Sequence, residues 1–264
     1  MGDVRVVRND GLVSIDGVEI GTRWVRPWDG KRPSPALVLL HEGLGSIPQW
    51  RRFPDLLVAA TGSPALLYDR QGHGRSDSPQ ESRRLDYLHR AAFDELPAVL
   101  ERCGVRRPLL VGHSDGATIA LLYASRFETR GVVSIAGHVR VEQAALDGIR
   151  RTMERLDTDG IREALERHHG PKTGALLQAW AVTWLAPWFR GWDIRPKLRS
   201  VTCPVLAIQG SDDEYATPGH VDEIAAAVGG PVETWLVPGH GHAPHLASGG
   251  WVADRVARWL DRLL

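Results

Sequence analysis

Cysteine is almost absent from this sequence. Cys103 and Cys203 form neither a Cys-x-x-Cys motif nor the framework of a disulfide-stapled domain, which fits a reducing compartment. No apolar run approaches membrane-spanning length, and the first residues, MGDVRVVRNDG, contain no apolar segment typical of a secretion signal. These absences argue against a disulfide-rich module and an integral membrane protein, and we expect a soluble, cytoplasmic protein.

The sequence also has no excess of charge of either sign. Its 32 basic and 32 acidic residues cancel, so it shows no electrostatic signature of binding to nucleic acid or to an anionic membrane. Hydrophobic residues at 43% and charged residues at 24% of 264 are ordinary for one large α/β domain with a proper core. We expect a small-molecule substrate, and a protein that is a monomer or a homodimer.

Short apolar runs, bounded by turn residues and separated by helical patterns, recur along the chain. Near the start, LVSIDGVEIGTRWV predicts two strands about a turn at Asp16-Gly17. The later runs predict parallel strands buried on both faces of a sheet. These runs are ALVLL (36–40), ALLYD (65–69), PLLVG (108–112), GVVSIAG (131–137), PVLAIQG (204–210) and PVETWLV (231–237). Helices are predicted at about 49–60, 83–102, 115–127, 219–228 and 251–263. The fold class is therefore α/β, a mostly parallel central sheet flanked by helices, whose ligands bind at the carboxyl ends of the strands.

One segment interrupts this alternation. From about 138 to 199 the sequence has helical patterns and no strand candidate, so we predict a helical cap (138–199) inserted after the sixth strand of a core formed by 1–137 and 200–264. Within it, WAVTWLAPWFRGW places tryptophans four residues apart on one helical face, although Pro187 is expected to kink or end that helix. The tryptophans either pack the insertion onto the core or line an apolar substrate pocket, for which the candidates are Trp180, Trp184 and Trp188.

The motif GHSDG (112–116) lies between the predicted strand PLLVG and the helical pattern DGATIALLYASRF. Ser114 occupies the serine position of G-x-S-x-G, where small residues two before and two after it allow a sharp turn that exposes the hydroxyl. A serine hydroxyl becomes a nucleophile when a histidine accepts its proton, and that histidine needs an acid to fix its tautomer and stabilise its charge.

Candidates for the acid and the base follow later predicted strands. QGSDDEY supplies Asp212, Asp213 and Glu214, and GHGHAPH supplies His240, His242 and His245. The order serine, acid, histidine, with each group in a loop after a strand, is typical of one large class of hydrolases.

These motifs resemble those of the α/β-hydrolase superfamily, of the capped type, from about residue 10 to the end. Besides GHSDG, the matching stretches are HEGLGS (41–46), YDRQGHGRSD (68–77), QGSDDEY (209–215) and GHAPH (241–245). In that superfamily the acid usually lies three residues after the glycine that ends its strand, so the resemblance assigns Asp213. The catalytic histidine usually follows a glycine in G-H-x-x-H or G-H-x-P, which assigns His242 and leaves His240 as the rival. The resemblance thus implies an α/β-hydrolase fold with a triad of Ser114, His242 and Asp213.

The oxyanion hole is expected to have two backbone donors. One is the N–H of Asp115, at the N-terminus of the helix that follows Ser114. The other is expected from HEGLGS, where relatives commonly carry His-Gly-x but Glu42 here intervenes before Gly43. We favour the amide of Leu44, with Gly43 as the alternative. Glu42 is either a loop carboxylate bonded to backbone amides or a polar group near the leaving group.

No cofactor or metal is predicted. Gly72-x-Gly74 lacks the third glycine of a dinucleotide fingerprint, and we interpret GHGRSD as a structural turn. The three histidines of GHGHAPH are interrupted by glycine and proline, which argues against the helical spacing of a zinc site. His168-His169 is interpreted as a solvated pair at a helix end.

Together these residues predict a serine hydrolase that cleaves a small, partly apolar carboxylic ester or lactone through an acyl-enzyme. Serine at the turn argues against epoxide hydrolase and haloalkane dehalogenase chemistry, which in this superfamily uses aspartate there. Thioester cleavage and acyl transfer to an acceptor other than water stay open, and so do two further alternatives. One is a carbon–carbon bond hydrolase of a dienone-type acid, which uses the same triad, and the other is a ligand-binding receptor on this fold with a slow triad.

Overall fold

The fold is built on one eight-stranded sheet. The computed structural model describes residues 5–28, 36–78 and 84–263. The N-terminal residues 1–4 and the predicted helix start at 83 lie outside the described residues. The strands are β1 (Val6–Ile15), β2 (Val18–Pro27), β3 (Leu37–Leu40), β4 (Ala65–Tyr68), β5 (Leu109–His113), β6 (Gly131–Ile135), β7 (Val205–Gly210) and β8 (Val232–Val237). Their order across the sheet is β1-β2-β4-β3-β5-β6-β7-β8. Only the pairs β1–β2 and β2–β4 are antiparallel, so the predicted mostly parallel sheet is confirmed.

Helices connect the strands at nearly all the predicted places. In the described residues they are α1 (Phe53–Thr61), α2 (Tyr87–Arg90), α3 (Leu96–Arg102), α4 (Asp115–Ala124), α5 (Gln143–Glu154), α6 (Ile161–His169), α7 (Thr173–Leu185), α8 (Arg195–Leu198), α9 (Gly219–Ala227), α10 (Pro244–Ala247) and α11 (Gly249–Asp261). The single helix predicted for 83–102 is instead α2 and α3 joined by a π-helical turn, Ala91–Glu95. No helix within the described ranges is both long and apolar enough to cross a membrane.

The hydrophobic core lies on both faces of the sheet. Alternate residues of β3 point to opposite sides, so Leu37 and Leu39 join one apolar cluster while Val38 and Leu40 join the other. The first cluster includes side chains of α1 and α11, and the second includes side chains of α3, α4 and α9. The predicted helix layers therefore enclose the central strands.

β8 differs from its prediction. PVETWLV was expected to be buried on both faces, but β8 is the last strand at one edge. Its side chains before the buried Val237 are partly buried or exposed, with Leu236 44% exposed. An edge strand has only one neighbour, so less of its apolar surface is covered.

The segment between β6 and β7, called the insertion (138–199) below, runs through α5, α6, α7 and α8. The first and last segments of the insertion lie next to each other. The Ile194 N–H donates to the Val139 carbonyl at 2.8 Å, and the Val141 N–H donates to the Trp192 carbonyl at 3.2 Å. α7 ends at Leu185, two residues before Pro187, as the missing proline N–H requires. The assignment of the insertion as a separate cap domain stays a prediction.

Candidate active site

Ser114 lies at a sharp turn between β5 and α4. Its backbone adopts φ 53° and ψ −118°, an unusual conformation for a residue other than glycine. The flanking glycines are needed for close approach. A Cβ at Gly116 would lie 1.9 Å from the carbonyl oxygen of Leu40, and one at Gly112 would lie 2.2 Å from that of Gly116. Strand, turn and helix can pack this closely only without those side chains, and the turn places Ser114 at the carboxyl end of β5.

His242 and Asp213 meet at the carboxyl ends of β7 and β8. The His242 Nδ1 lies 2.9 Å from each Asp213 carboxylate oxygen. The backbone N–H groups of Tyr215 and Ala216 also donate to Asp213, at 2.8 Å and 3.1 Å. Burial alone would lower the pKa of His242, but the hydrogen bond and charge of Asp213 outweigh it and raise that pKa above its ordinary value. The pair is thus arranged so that Asp213 stabilises a protonated His242.

Ser114 and His242 line one cavity of about 290 Å³, which is near the small end of ligand pockets. Side chains of the insertion form much of its wall. The lining residues are Glu42, Gly43, Leu44, Gln49, Ser114, Asp115, His138, Ala145, Ile149, Thr152, Ile161, Leu165, Trp180, Trp184, Tyr215 and His242. The wall is therefore mainly apolar and aromatic, with a polar strip at the strand ends.

The three histidines of GHGHAPH have different surroundings. His240 is not among the residues that line the cavity, and its Nδ1 lies 2.8 Å from the Pro238 carbonyl oxygen and its Nε2 2.7 Å from the Ser248 hydroxyl. His245 is buried against the rings of Trp50 and Phe53. Among the described residues, no group of three or more His, Cys, Asp or Glu side chains could hold a metal ion. Of the three, only His242 lines the cavity together with Ser114.

The loop HEGLGS is held by two buried histidines. Gly43 and Leu44 both line the cavity, and the role of this loop as an oxyanion donor stays a prediction. The His73 Nε2–H donates to the Gly43 carbonyl at 3.1 Å, which fixes the peptide plane that carries the Leu44 N–H. The His169 Nε2–H donates to the Leu44 carbonyl at 2.9 Å, and its Nδ1 accepts from the Gly74 N–H at 2.9 Å. The interpretation of His169 as solvated is therefore wrong, because the insertion folds back and buries it against this loop.

Arg70 joins the two halves of the expected oxyanion hole. One guanidinium nitrogen donates to the Glu42 carbonyl at 2.6 Å, and another lies 4.0 Å from the Asp115 carboxylate. The Glu42 carboxylate lies 3.5 Å from His113 Nδ1. Burial acts to raise the pKa of Glu42, but His113 outweighs it and holds that pKa well below its usual range. Glu42 is thus a charged group at the cavity wall.

Two of the three candidate tryptophans lie at the cavity. Trp180 and Trp184 both line it, and the Trp184 indole N–H donates to the Tyr87 hydroxyl at 3.0 Å. That hydroxyl donates in turn to Asp115 at 3.0 Å. The structure corrects the prediction for Trp188, which is 51% exposed and does not line the cavity. Pro187 ends the helical spacing that would have aligned Trp188 with the other two tryptophans.

Several cavity residues were not identified from the sequence. His138 lies three residues after the end of β6, so the rule that ligands bind at strand ends could have found it. Tyr215 packs its ring 4.9 Å from that of His242, and its hydroxyl lies 2.5 Å from the Thr152 hydroxyl in α5. The apolar residues of α5 and α6 carry no local signal, because only the packing of the insertion brings them to the cavity.

Comparison with known proteins agrees with this fold. Residues 37–255 match the model of the alpha/beta hydrolase family, and the chain belongs to that family. A curated relative, the proline iminopeptidase of Lactobacillus helveticus (strain DPC 4571), is 24% identical over an alignment 272 positions long, which includes 86% of this chain and 90% of the relative.

Solved structures show the same fold. The enol-lactonase of Burkholderia xenovorans LB400 superposes with a TM-score of 0.71 at 20% identity, covering 95% of this chain and 100% of that one. A carboxylesterase structure from Nitrososphaera gargenis gives 0.72 at 21% identity, covering 96% and 98%. The chain is thus similar to hydrolases of several kinds.

Proposed function

We propose that this protein is a serine hydrolase of small, uncharged carboxylic esters or lactones, acting through Ser114, His242 and Asp213. The observation that carries the proposal is the shared cavity. A serine on a strained strand-to-helix turn and a histidine bonded to a buried carboxylate open into the same small, mainly apolar space.

The proposed reaction has two steps. His242 accepts the Ser114 proton as the hydroxyl oxygen attacks the substrate carbonyl, and Asp213 stabilises the resulting imidazolium. Backbone amides of Asp115 and Leu44 bind the tetrahedral oxyanion, and His242 then protonates the leaving alkoxide to give the acyl-enzyme. In the second step His242 takes a proton from water, which attacks the acyl carbon. His242 then returns this proton to the Ser114 oxygen as the acyl–oxygen bond breaks and the acid is released.

The charges of the cavity favour an uncharged substrate. None of the described residues that line it is lysine or arginine, so a substrate carboxylate would find no cationic partner. Glu42 and Asp115 would repel such a group, and each already faces a basic side chain, His113 or Arg70. This arrangement disfavours the carbon–carbon bond hydrolase of a dienone-type acid.

A second candidate comes from the curated relative. Its name, proline iminopeptidase, makes hydrolysis of a prolyl amide an activity to assay. Acyl transfer from an amide uses the same nucleophile and base, so the two candidates differ in leaving group and not in triad.

The test is turnover and labelling at Ser114. Wild type and Ser114→Ala are assayed with p-nitrophenyl acetate, p-nitrophenyl butyrate and prolyl p-nitroanilide, and a fluorophosphonate adduct is located by mass spectrometry. We expect ester turnover to fall by at least about 10³-fold in Ser114→Ala. Ser125→Ala is the matched control, because Ser125 follows the same helix and its hydroxyl donates to the Leu122 carbonyl at 2.7 Å. Ester turnover that survives in Ser114→Ala would contradict the proposal, and labelling of Ser114 without turnover would favour a receptor.

A further inference from the structure

His138 is a buried polar side chain that the proposed reaction does not use. It lies just past the carboxyl end of β6, is 4% exposed and lines the cavity with Ser114 and His242. Its ring centre lies 5.8 Å from that of His242 and 5.3 Å from that of Trp184. A group in this position is within reach of a substrate bound at Ser114.

The backbone holds His138 at this wall. Ala136, between β6 and His138, has φ 51°, a left-handed conformation that is rare for alanine. The Thr118 hydroxyl donates to the His138 carbonyl at 2.6 Å, and the next N–H, that of Val139, donates to His220 Nδ1 at 3.3 Å. The chain is thus turned and fixed on both sides of the imidazole.

Among the described residues, no side chain or backbone group is hydrogen-bonded to Nδ1 of the His138 ring. Nδ1 of His138 is buried without a hydrogen bond, and the ring's contacts with described residues are with other rings. Burial, together with His220 and His242, holds the pKa of His138 well below its ordinary value. The neutral ring therefore has one N–H donor and one acceptor, so it can both donate to and accept from a hydroxyl group.

Buried polar groups in proteins are nearly always hydrogen-bonded, and a cavity that leaves one unpaired is suited to a ligand that pairs it. The rest of the insertion's wall is apolar or aromatic apart from Thr152, whose hydroxyl already contacts Tyr215. Among the described residues of the insertion that line the cavity, His138 is therefore the one with a buried polar side-chain atom that has no hydrogen-bond partner.

We propose that His138 hydrogen-bonds a second oxygen of the substrate, which makes the preferred substrate a hydroxy-substituted ester or lactone. The proposal rests on the proposed hydrolase function and adds to it the class of substrate. The hydroxyl group lies on either the acyl or the alcohol side of the scissile bond, so the experiment includes a matched pair of substrates for each side.

The experiment compares kcat/KM within two pairs of esters. On the acyl side these are p-nitrophenyl 3-hydroxybutyrate and p-nitrophenyl butyrate, and on the alcohol side 2-hydroxyethyl butyrate and ethyl butyrate, followed by acid release. Wild type is expected to prefer the hydroxylated member of one pair by about tenfold, the effect of one good hydrogen bond.

His138→Phe keeps a flat ring against Trp184 and removes both nitrogens. It is expected to reduce the preference, which is the ratio of kcat/KM for the hydroxylated and the plain ester, to less than about twofold. His138→Gln, which retains an amide donor and acceptor, is expected to restore part of the preference. His168→Phe is the matched control, because His168 lies in the insertion but does not line the cavity.

The outcomes separate the two proposals. If wild type hydrolyses the plain esters but shows no preference in either pair, or if the preference persists in His138→Phe, the role of His138 is refuted and the hydrolase function stands. If wild type hydrolyses none of the four esters, both proposals are overturned. If His138→Phe does not fold, the absence of a preference in wild type still refutes the role of His138, and His138→Gln serves as the second variant.

Discussion

His242 is bonded to Asp213 and lines the cavity, whereas a neighbouring histidine and a neighbouring aspartate do not line it. His240 and Asp212 lie in the same loops but do not line the cavity. Because His242 acts as a base only when unprotonated, and Asp213 raises its pKa, we expect kcat/KM to rise with pH with an apparent pKa above the ordinary 6.5 of histidine.

Asp213→Asn removes the charge that raises the pKa of His242. We therefore expect the acidic limb of the kcat/KM profile to move to lower pH and the plateau to fall by roughly 10³–10⁴-fold. Asp212→Asn and His240→Gln are the controls and should leave both features unchanged. If Asp212→Asn shifts the pH profile of kcat/KM and Asp213→Asn does not, Asp212 is the catalytic acid instead of Asp213.

At the residue scale, the sequence indicated the groups that follow strands and missed those that depend on tertiary packing. Ser114, Asp213 and His242 stand in recognisable motifs, and the structure brings them together. His169 carries no local sign of burial, because the loop that covers it is far away in sequence. Trp188 shares the four-residue spacing of Trp180 and Trp184, but a proline lies between them.

At the element scale, the turn from β5 to α4 depends on glycine. Gly116→Ala would put a methyl group against the carbonyl oxygens of Leu40 and His41, which are backbone atoms that cannot turn away. We expect a loss of about 3 kcal/mol in the free energy of unfolding, and a fall of about 6–10 °C in Tm by calorimetry.

Gly174→Ala provides the contrast. Gly174 lies in α7, and a Cβ there would meet nothing within 4 Å. Because alanine is the better helix former, we expect Gly174→Ala to leave stability unchanged or to raise it by up to about 1 kcal/mol. Equal destabilisation by the two substitutions would show that close packing at the turn is not the cause.

Elements with strong local signals were predicted well. The apolar runs of β3 to β7 and the proline that ends α7 are visible without knowledge of the fold. The position of a strand within the sheet is not visible, so the exposure of β8 could not be predicted from PVETWLV alone. The π-helical turn between α2 and α3 likewise has no signal in the periodicity.

At the scale of the whole molecule, Lys172 ties the insertion to the core. Its Nζ donates to the carbonyl oxygens of His73, Gly74 and Ser76, at 3.3 Å and 2.7 Å for the first two. Lys172→Met removes these bonds, and we expect a loss of about 1–2 kcal/mol in stability and faster amide hydrogen exchange at 72–77. Lys197→Met, at an exposed position in α8, should change neither measurement. Exchange at 72–77 that stays at the wild-type rate would contradict this role for Lys172.

The strand order β5-β6-β7-β8 is also a temporal order, because a ribosome delivers these strands one after another towards the same edge. The nucleophile emerges with β5, the acid follows β7, and the base follows β8. The hydrogen bond to the Leu44 carbonyl can form only after His169 has been synthesised. Ser114 is therefore synthesised long before His242. The proposed hydrolytic activity arises only when all eight strands of the sheet and the loop after β8 have been synthesised.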